Sequence, residues 1–306
     1  MDRASTYYKQ VQLLVQLLPL IAEESCFALK GGTAINLFVR DLPRLSVDID
    51  LVYLPMNNRQ EALDDITRVL ARIAQRIKKV FSDVEIVESF KNKHDALRLV
   101  VSRKDIKIKI ELSPVLRGTV FKPEVRNVCQ KVEDEFGYAE IAVVALPDLY
   151  AGKICAALDR QHPRDLFDVK VLLDSSGLTD ITRRALLVYL ISHPRPIAEL
   201  LSPARKNIKQ LYEGEFLQME EQHVSLEELE RTRENMIQSI NAGLTENEKK
   251  FLLTFKKKAP DWSLLNLEGV ENLPAVNWKL INLNSMKSDK YEVAYKKLRQ
   301  VLGDYQ

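Results

Sequence analysis

Two aspartates, Asp48 and Asp50, stand two positions apart in the stretch Ser46-Val47-Asp48-Ile49-Asp50-Leu51-Val52-Tyr53. Val47, Ile49 and Leu51 alternate with the two acids, which is the period of a strand. Positions i and i+2 of a strand face the same side, so both carboxylates share one face. Two like charges held together need a cation between them, or a proton on one of them. A divalent ion meets that need, and oxygen ligands suit magnesium, with manganese as a substitute. Upstream, Gly31-Gly32-Thr33 ends a short apolar run, Cys26 to Lys30, and opens a helical stretch from Thr33 to Arg40 with Thr33 placed as its N-cap. A glycine turn entering a helix offers backbone N–H groups to phosphate oxygens. Either motif alone would pass for a turn or a solvated acidic edge, because short motifs match by chance. In this order they specify phosphate plus metal, which means a nucleotide.

A two-metal site needs a third acid. In Ile106-Lys107-Ile108-Lys109-Ile110-Glu111-Leu112 the three isoleucines share one face of a strand, and Lys107, Lys109 and Glu111 share the other. Glu111 would complete a ligand set with Asp48 and Asp50, and two ions would clamp the attacking and leaving oxygens of an in-line displacement. The competing expectation for Glu111 is an ion pair with Lys107 or Lys109 on a solvated sheet face.

Lys30-Gly31-Gly32-Thr33-Ala34, followed by Arg44-Leu45-Ser46-Val47-Asp48-Ile49-Asp50-Leu51, resembles the AbiEii/AbiGii toxin family of the DNA polymerase β-type nucleotidyltransferase superfamily. The family's next element, a Lys and then an Arg-Asp-x-x-Asp cluster, is matched by Lys153, Arg160 and Pro163-Arg164-Asp165-Leu166-Phe167-Asp168. The closing segment, Leu244-Thr245 through Pro260-Asp261-Trp262 to Trp278-Lys279, is also similar to the tail of one bacterial branch, so the resemblance spans about residues 10 to 300.

The resemblance implies the toxin of a toxin–antitoxin or phage-defence pair, with a cognate antitoxin protein encoded nearby. It implies transfer of a nucleotide from an NTP to an acceptor hydroxyl, the 3′ end of tRNA being the preferred acceptor. Fold kinship does not fix the substrate, so a protein acceptor and a non-catalytic nucleotide- or partner-binding module remain the alternatives. Phosphoryl-type transfer is mostly positioning and charge neutralisation. Asp48, Asp50, Lys153 and Asp168 are the expected catalytic residues. Gly31, Gly32, Thr33, Arg44, Ser46, Lys153, Arg160, Arg164 and Asp165 are expected at the nucleotide. Asp168 is expected to orient Lys153 or to act on the attacking hydroxyl, and Asp165 to pair with Arg160 or Arg44.

These residues need elements to position them. The 306 residues suffice for one large domain or two ordinary ones. With 46% hydrophobic and 29% charged residues the chain is globular in composition, not disordered or fibrous. Helical spacing is predicted over residues 7–24 and 60–80. Strands are predicted over 84–90, 96–102, 106–112 and 141–144. Several adjacent strands after one helix point to a mixed sheet rather than a regular βαβ series. Beyond Pro147 strand signals nearly vanish, and helices are predicted over 149–158, 164–173, 181–191, an acid-rich 213–235, 246–258 and 291–302. The expected class is α+β: a polymerase-β-like catalytic domain at 1–145 with a mixed sheet and flanking helices, then an all-helical domain at 146–306 carrying Lys153 and Asp168.

Three widely spaced cysteines, Cys26, Cys129 and Cys155, build neither a disulfide framework nor a Cys-type zinc site. The apolar stretch from Val11 to Ala22 is too short to span a membrane and lacks a secretory cleavage pattern, so a cytoplasmic protein is expected. No Gly-x-Ser-x-Gly elbow or Walker A string occurs, which leaves acyl transfer and P-loop hydrolysis without support. The net charge of +2 does not announce a nucleic-acid binder. Between Arg68 and Lys109, however, twelve basic residues face five acidic ones, and Arg183, Arg184, Arg195, Arg205, Lys206 and Lys209 form a second cluster. Either is a candidate track for a phosphate backbone, with affinity falling steeply with salt.

Overall fold

The computed structural model describes residues 3–93 and 95–303. The chain divides into two compact units. The first holds the chain up to Ala145 together with Phe216–His223, and the second holds Leu146–Glu215 and the chain from Val224 onward.

The first unit contains α1 (Thr6–Ala22), β1 (Phe27–Lys30), α2 (Gly31–Ala34), a π-helical turn (Ile35–Val39) and β2 (Asp48–Tyr53). It continues through α3 (Arg59–Val80), β3 (Val84–Glu88), β4 (Arg98–Arg103), β5 (Ile106–Leu112), β6 (Glu124–Asn127), α4 (Gln130–Phe136) and β7 (Glu140–Val143). The strands form one seven-stranded mixed sheet in the order β3-β4-β5-β2-β1-β7-β6. The pairs β2·β5 and β1·β7 are parallel and the others antiparallel. Alternation decides the faces: Leu29, Ile49, Leu51, Leu99, Val101, Ile108 and Ile110 are buried. The helices α1 and α3 lie against the sheet on their apolar stripes, which include Leu14, Leu18, Ile66 and Ile73. Ser5 caps α1 and Asn58 caps α3, each accepting a backbone N–H of the first turn. On the other face Asp48, Asp50 and Glu111 stay partly exposed, and Lys107 and Lys109 are exposed.

The second unit is helical: α5 (Leu146–Arg160), α6 (Pro163–Ser175), α7 (Asp180–Ser192), α8 (Ile197–Leu201), α9 (Lys209–Glu215), α10 (Leu226–Gly243), α11 (Glu246–Lys256), α12 (Pro274–Asn284) and α13 (Ser288–Val301). α5 packs on α6 and α7, α10 covers α6, and α11 and α12 lie against α7. Capping boxes open α10 (Ser225 with Glu228) and α11 (Thr245 with Glu248), each satisfying two orphan N–H donors. Glu248 also takes the buried Arg183 guanidinium at 2.9 Å. Trp262 packs on Phe251 and Phe255, whereas Trp278 is half-exposed.

Two expectations need correction. Thr33 is not an N-cap: the helix opens at Gly31, Lys30 stands at the cap, and the Thr33 hydroxyl donates to Asp48 O at 2.5 Å. The acid-rich run 213–235 is not one helix. It breaks after Glu215 because residues 216–223 join the first unit, where Leu45 N–H donates to Met219 O (2.8 Å) and Glu221 N–H to Pro43 O (2.9 Å). β6, α4 and α12 carry no periodic pattern strong enough to predict and appear only in the structure.

Candidate nucleotide and metal site

The glycine turn and the acidic strand meet through close packing. β1 runs antiparallel to β2 with Lys30 opposite Asp50, and the chain then turns at Gly31 with φ +76°. A Cβ on Gly31 would sit 2.5 Å from Asp50 Oδ2, so only glycine lets the turn approach the acid. A Cβ on Gly32 would sit 2.7 Å from Arg44 Nη2 and 2.9 Å from Ser46 Oγ. Arg44 and Ser46 are therefore brought against the glycines. Arg44 is buried, donates to Leu45 O at 2.8 Å, and bridges Glu220 in a short antiparallel pairing. Thr33 Oγ1 lies 3.1 Å from Ser46 Oγ and is fully buried, so its hydroxyl ties α2 to β2.

Asp48 and Asp50 share one face of β2, and the parallel register with β5 sets Asp48 beside Lys109 and Asp50 beside Glu111. Among the described residues no hydrogen bond or ion pair engages the Asp50 carboxylate. Glu111 is held from the other side: Arg98 on β4 faces it in register and forms an ion pair with it through Nε. Neither Lys107 nor Lys109 takes that place. Among the described residues no three His, Cys, Asp or Glu side chains converge into a ready cage for a metal. The donor set nonetheless suits a hard divalent ion: two carboxylates on one strand face, one of them unengaged, and a third one strand away.

In the second unit Lys153 on α5 is buried between two carboxylates of α6, with Nζ 2.8 Å from Asp165 Oδ1 and 2.9 Å from Asp168 Oδ2. Arg160 closes on Asp165 as well, through Nε and, at 2.9 Å, through Nη2. Asp165 thus pairs with Arg160 and Lys153. Burial alone would raise its pKa, but the Lys153 charge and the Arg160 hydrogen bonds prevail and hold it well below the ordinary carboxylate range. The spacing explains the cluster: Asp165 and Asp168 lie three apart on one face of α6, aimed at one lysine of α5. His162 caps α6 by accepting Arg164 N–H at 3.2 Å. Its Nε2 lies 3.2 Å from Glu215 Oε2, and Arg164 Nη2 lies 3.5 Å from the same oxygen. Burial first, and the Arg164 charge second, push the His162 pKa down.

Sequence reasoning missed Arg98, whose role depends on a cross-strand register that no local pattern contains. It also missed Glu220, a buried acid whose Oε2 has no hydrogen-bond partner among the described residues. Much of the basic clustering is internal. Arg72 and Arg76 hold Glu24, Arg103 holds Asp83, Arg195 holds Asp159, and Arg205 holds Glu234.

The fold is similar to that of MenT4, a nucleotidyltransferase toxin from Mycobacterium tuberculosis H37Rv, with a TM-score of 0.63 and 16% identity. The match covers 92% of this chain and 95% of that one. Residues 12–282 match the family described as nucleotidyl transferase AbiEii toxin, type IV TA system, and the chain belongs to that family. A search of curated proteins gives no match. Membership makes the protein a nucleotidyltransferase toxin with an antitoxin counterpart. Among the described residues no helix is long and apolar enough to cross a membrane.

Proposed function

We propose that the protein transfers a nucleotide from an NTP to the 3′ end of tRNA and releases pyrophosphate, in the cytoplasm and with Mg2+ as cofactor. The observation that carries this reading is the register of Asp50, beside Glu111 on one strand and against the Gly31 turn on the other side. Asp48 and Asp50 would hold the metal, with Glu111 as the third ligand. A bound ion would neutralise charge on the triphosphate and lower the pKa of an attacking hydroxyl. The remaining work falls to the chain's own groups. The backbone at Gly31 and Gly32 approaches the triphosphate oxygens, and Arg44 and Ser46 line that turn. Thr33 keeps the turn fixed to β2. Lys153 supplies a compact cation to the triphosphate, and Asp168 is a positioning residue for it. Asp165 holds Lys153 and Arg160 together, and Arg164 adds positive charge at the start of α6. The acceptor hydroxyl attacks the α-phosphorus and gives up its proton to solvent, the bond to the bridging oxygen of the β-phosphate breaks, and pyrophosphate leaves with the charge.

The test is incubation with Mg2+, each α-labelled NTP in turn and total cellular RNA, followed by separation of RNA and protein on a gel. Label on RNA of tRNA size, absent with Asp48→Asn, is the expected result and names the nucleotide. Label on protein would replace the acceptor. Nucleotide binding without label anywhere would leave a binding module and overturn the proposed reaction.

A further inference from the structure

Four strands of the first unit place one row of charged residues, two acids flanked by two bases, across the partly exposed sheet face. Arg98 pairs with Glu111, Glu111 stands beside Asp50, and Asp50 stands opposite Lys30. Lys109 sits beside Asp48 in the neighbouring row. Three acids therefore face three bases. Glu111 has Asp50 on one side and Arg98 on the other, each one strand spacing of about 4.8 Å away. It has turned to Arg98. A carboxylate that is to ligate a metal beside Asp50 cannot keep both partners.

We propose that Arg98 is a latch on the third carboxylate: it holds Glu111 away from Asp48 and Asp50 until a divalent cation and the anionic nucleotide enter together. Three features support the exchange. The Arg98–Glu111 pair is half-open to water, with side-chain exposures of 50% and 35%, and an ion pair so exposed is weak enough for a divalent ion to displace. The Asp50 carboxylate, next in the row, is unengaged among the described residues, so the row already contains a ligand that waits for a partner. A released guanidinium one strand from the metal would carry a planar fork suited to phosphate oxygens, so the cation that blocks the empty site becomes a phosphate ligand of the filled one. Metal and nucleotide then enter as a coupled pair, because each removes the partner the other would leave exposed.

The inference rests on the proposed metal role of Asp48 and Asp50, and the experiment separates the two. Mn2+ binding to the full chain is followed by electron paramagnetic resonance of the free ion, with and without a non-hydrolysable NTP. Circular dichroism checks the fold of each variant. Arg98→Met should tighten Mn2+ by about two- to five-fold in the absence of nucleotide, the range set by losing one exposed ion pair. Arg98→Lys should stay near the wild type, since it keeps the charge. In a Glu111→Gln background Arg98→Met should change Mn2+ affinity by less than about 1.5-fold, because the group it restrains is gone. A merely structural pair would give Arg98→Met equal or weaker metal binding, and that result overturns the latch while leaving the metal site intact. A wild type that binds no Mn2+ even with nucleotide overturns the metal reading, and the latch with it.

Discussion

The carboxylate of Asp50 occupies the space that a side chain at Gly31 would need, with Oδ2 2.5 Å from the position of a Cβ there. Glycine turn and acid are thus one device, not two motifs that happen to be near each other. Gly31 also has φ +76°, which L side chains rarely adopt. Gly31→Ala therefore meets backbone strain of about 1–3 kcal/mol as well as the clash. We expect a melting temperature lower by several degrees and nucleotide transfer reduced at least ~100-fold, because Asp50 must move. Gly32→Ala has no such strain and meets only the movable ends of Arg44 and Ser46. It should keep near-native stability and lose transfer through the displaced Arg44. Thermal melting alongside labelled-NTP transfer checks both.

Asp48→Asn and Asp50→Asn remove charge from partly exposed positions and leave the shape unchanged. At Asp50, whose carboxylate is unengaged among the described residues, the substitution alters stability by no more than about 0.5 kcal/mol, and relief of repulsion between the two acids works in the stabilising direction. Transfer should fall by about 10²–10³ or more, the scale of losing one electrostatic contributor to a transition state. Urea unfolding and single-turnover transfer, measured on the same preparations, test this. A large loss of stability with unchanged transfer would remove both aspartates from the chemistry.

Legibility in the sequence followed the range of the forces involved. The strand Ile106–Leu112 was read to the residue, because alternation is local and Ile108 and Ile110 are buried as a pair. The assignment of Glu111 to the face of Lys107 and Lys109 came with it. Its partner did not, since Arg98 and Asp50 reach Glu111 through sheet order, which joins β4, β5 and β2 across the sequence. The acidic run after Glu213 failed for the same reason in reverse. Its composition suits a helix, but backbone pairing of Met219 with Leu45 and of Glu221 with Pro43 overrides that preference. Lys153 and the Arg-Asp-x-x-Asp string were visible as spacing, whereas the burial of the lysine between Asp165 and Asp168 was not.

That buried cluster has a stability signature separate from catalysis. Lys153→Met leaves two carboxylates, both nine-tenths buried, without the cation they share, and should cost about 3–5 kcal/mol at pH 7. Any loss of transfer in that variant must be corrected for its folded fraction. The pH dependence has a definite sign. The Asp165 pKa is lowered in the folded state from an ordinary value of 3.8, so the unfolded chain binds more protons in the acid range. The stabilisation is full above that value and is lost as pH falls through the lower, folded one. The stability gap between wild type and Asp165→Asn should therefore stay constant from about pH 8 to 5 and narrow below about pH 4. Urea midpoints at pH 7 and pH 3.5 measure it.

Salt dependence tests the RNA acceptor and selects among the basic residues. Arg72, Arg76 and Arg103 have carboxylate partners, so they offer little net charge to a phosphate backbone. Lys107 and Lys109 differ: both are exposed, both lie on the face of β5 that carries Glu111, and among the described residues neither forms an ion pair. Lys109 is moreover level with Asp48, so a strand delivering its 3′ end to the acids would pass these two lysines. Removing one lysine that neutralises a phosphate should reduce the slope of log K against log salt by about 0.7–0.9. Lys107→Gln with Lys109→Gln should then weaken tRNA binding at low salt and flatten the slope by about 1.5. Arg72→Gln should leave the slope unchanged and cost stability instead, because it strips a partner from the nearly buried Glu24. Filter binding of tRNA between about 50 and 200 mM salt distinguishes these outcomes. Equal slopes in all variants would take the acceptor path off this face of the sheet.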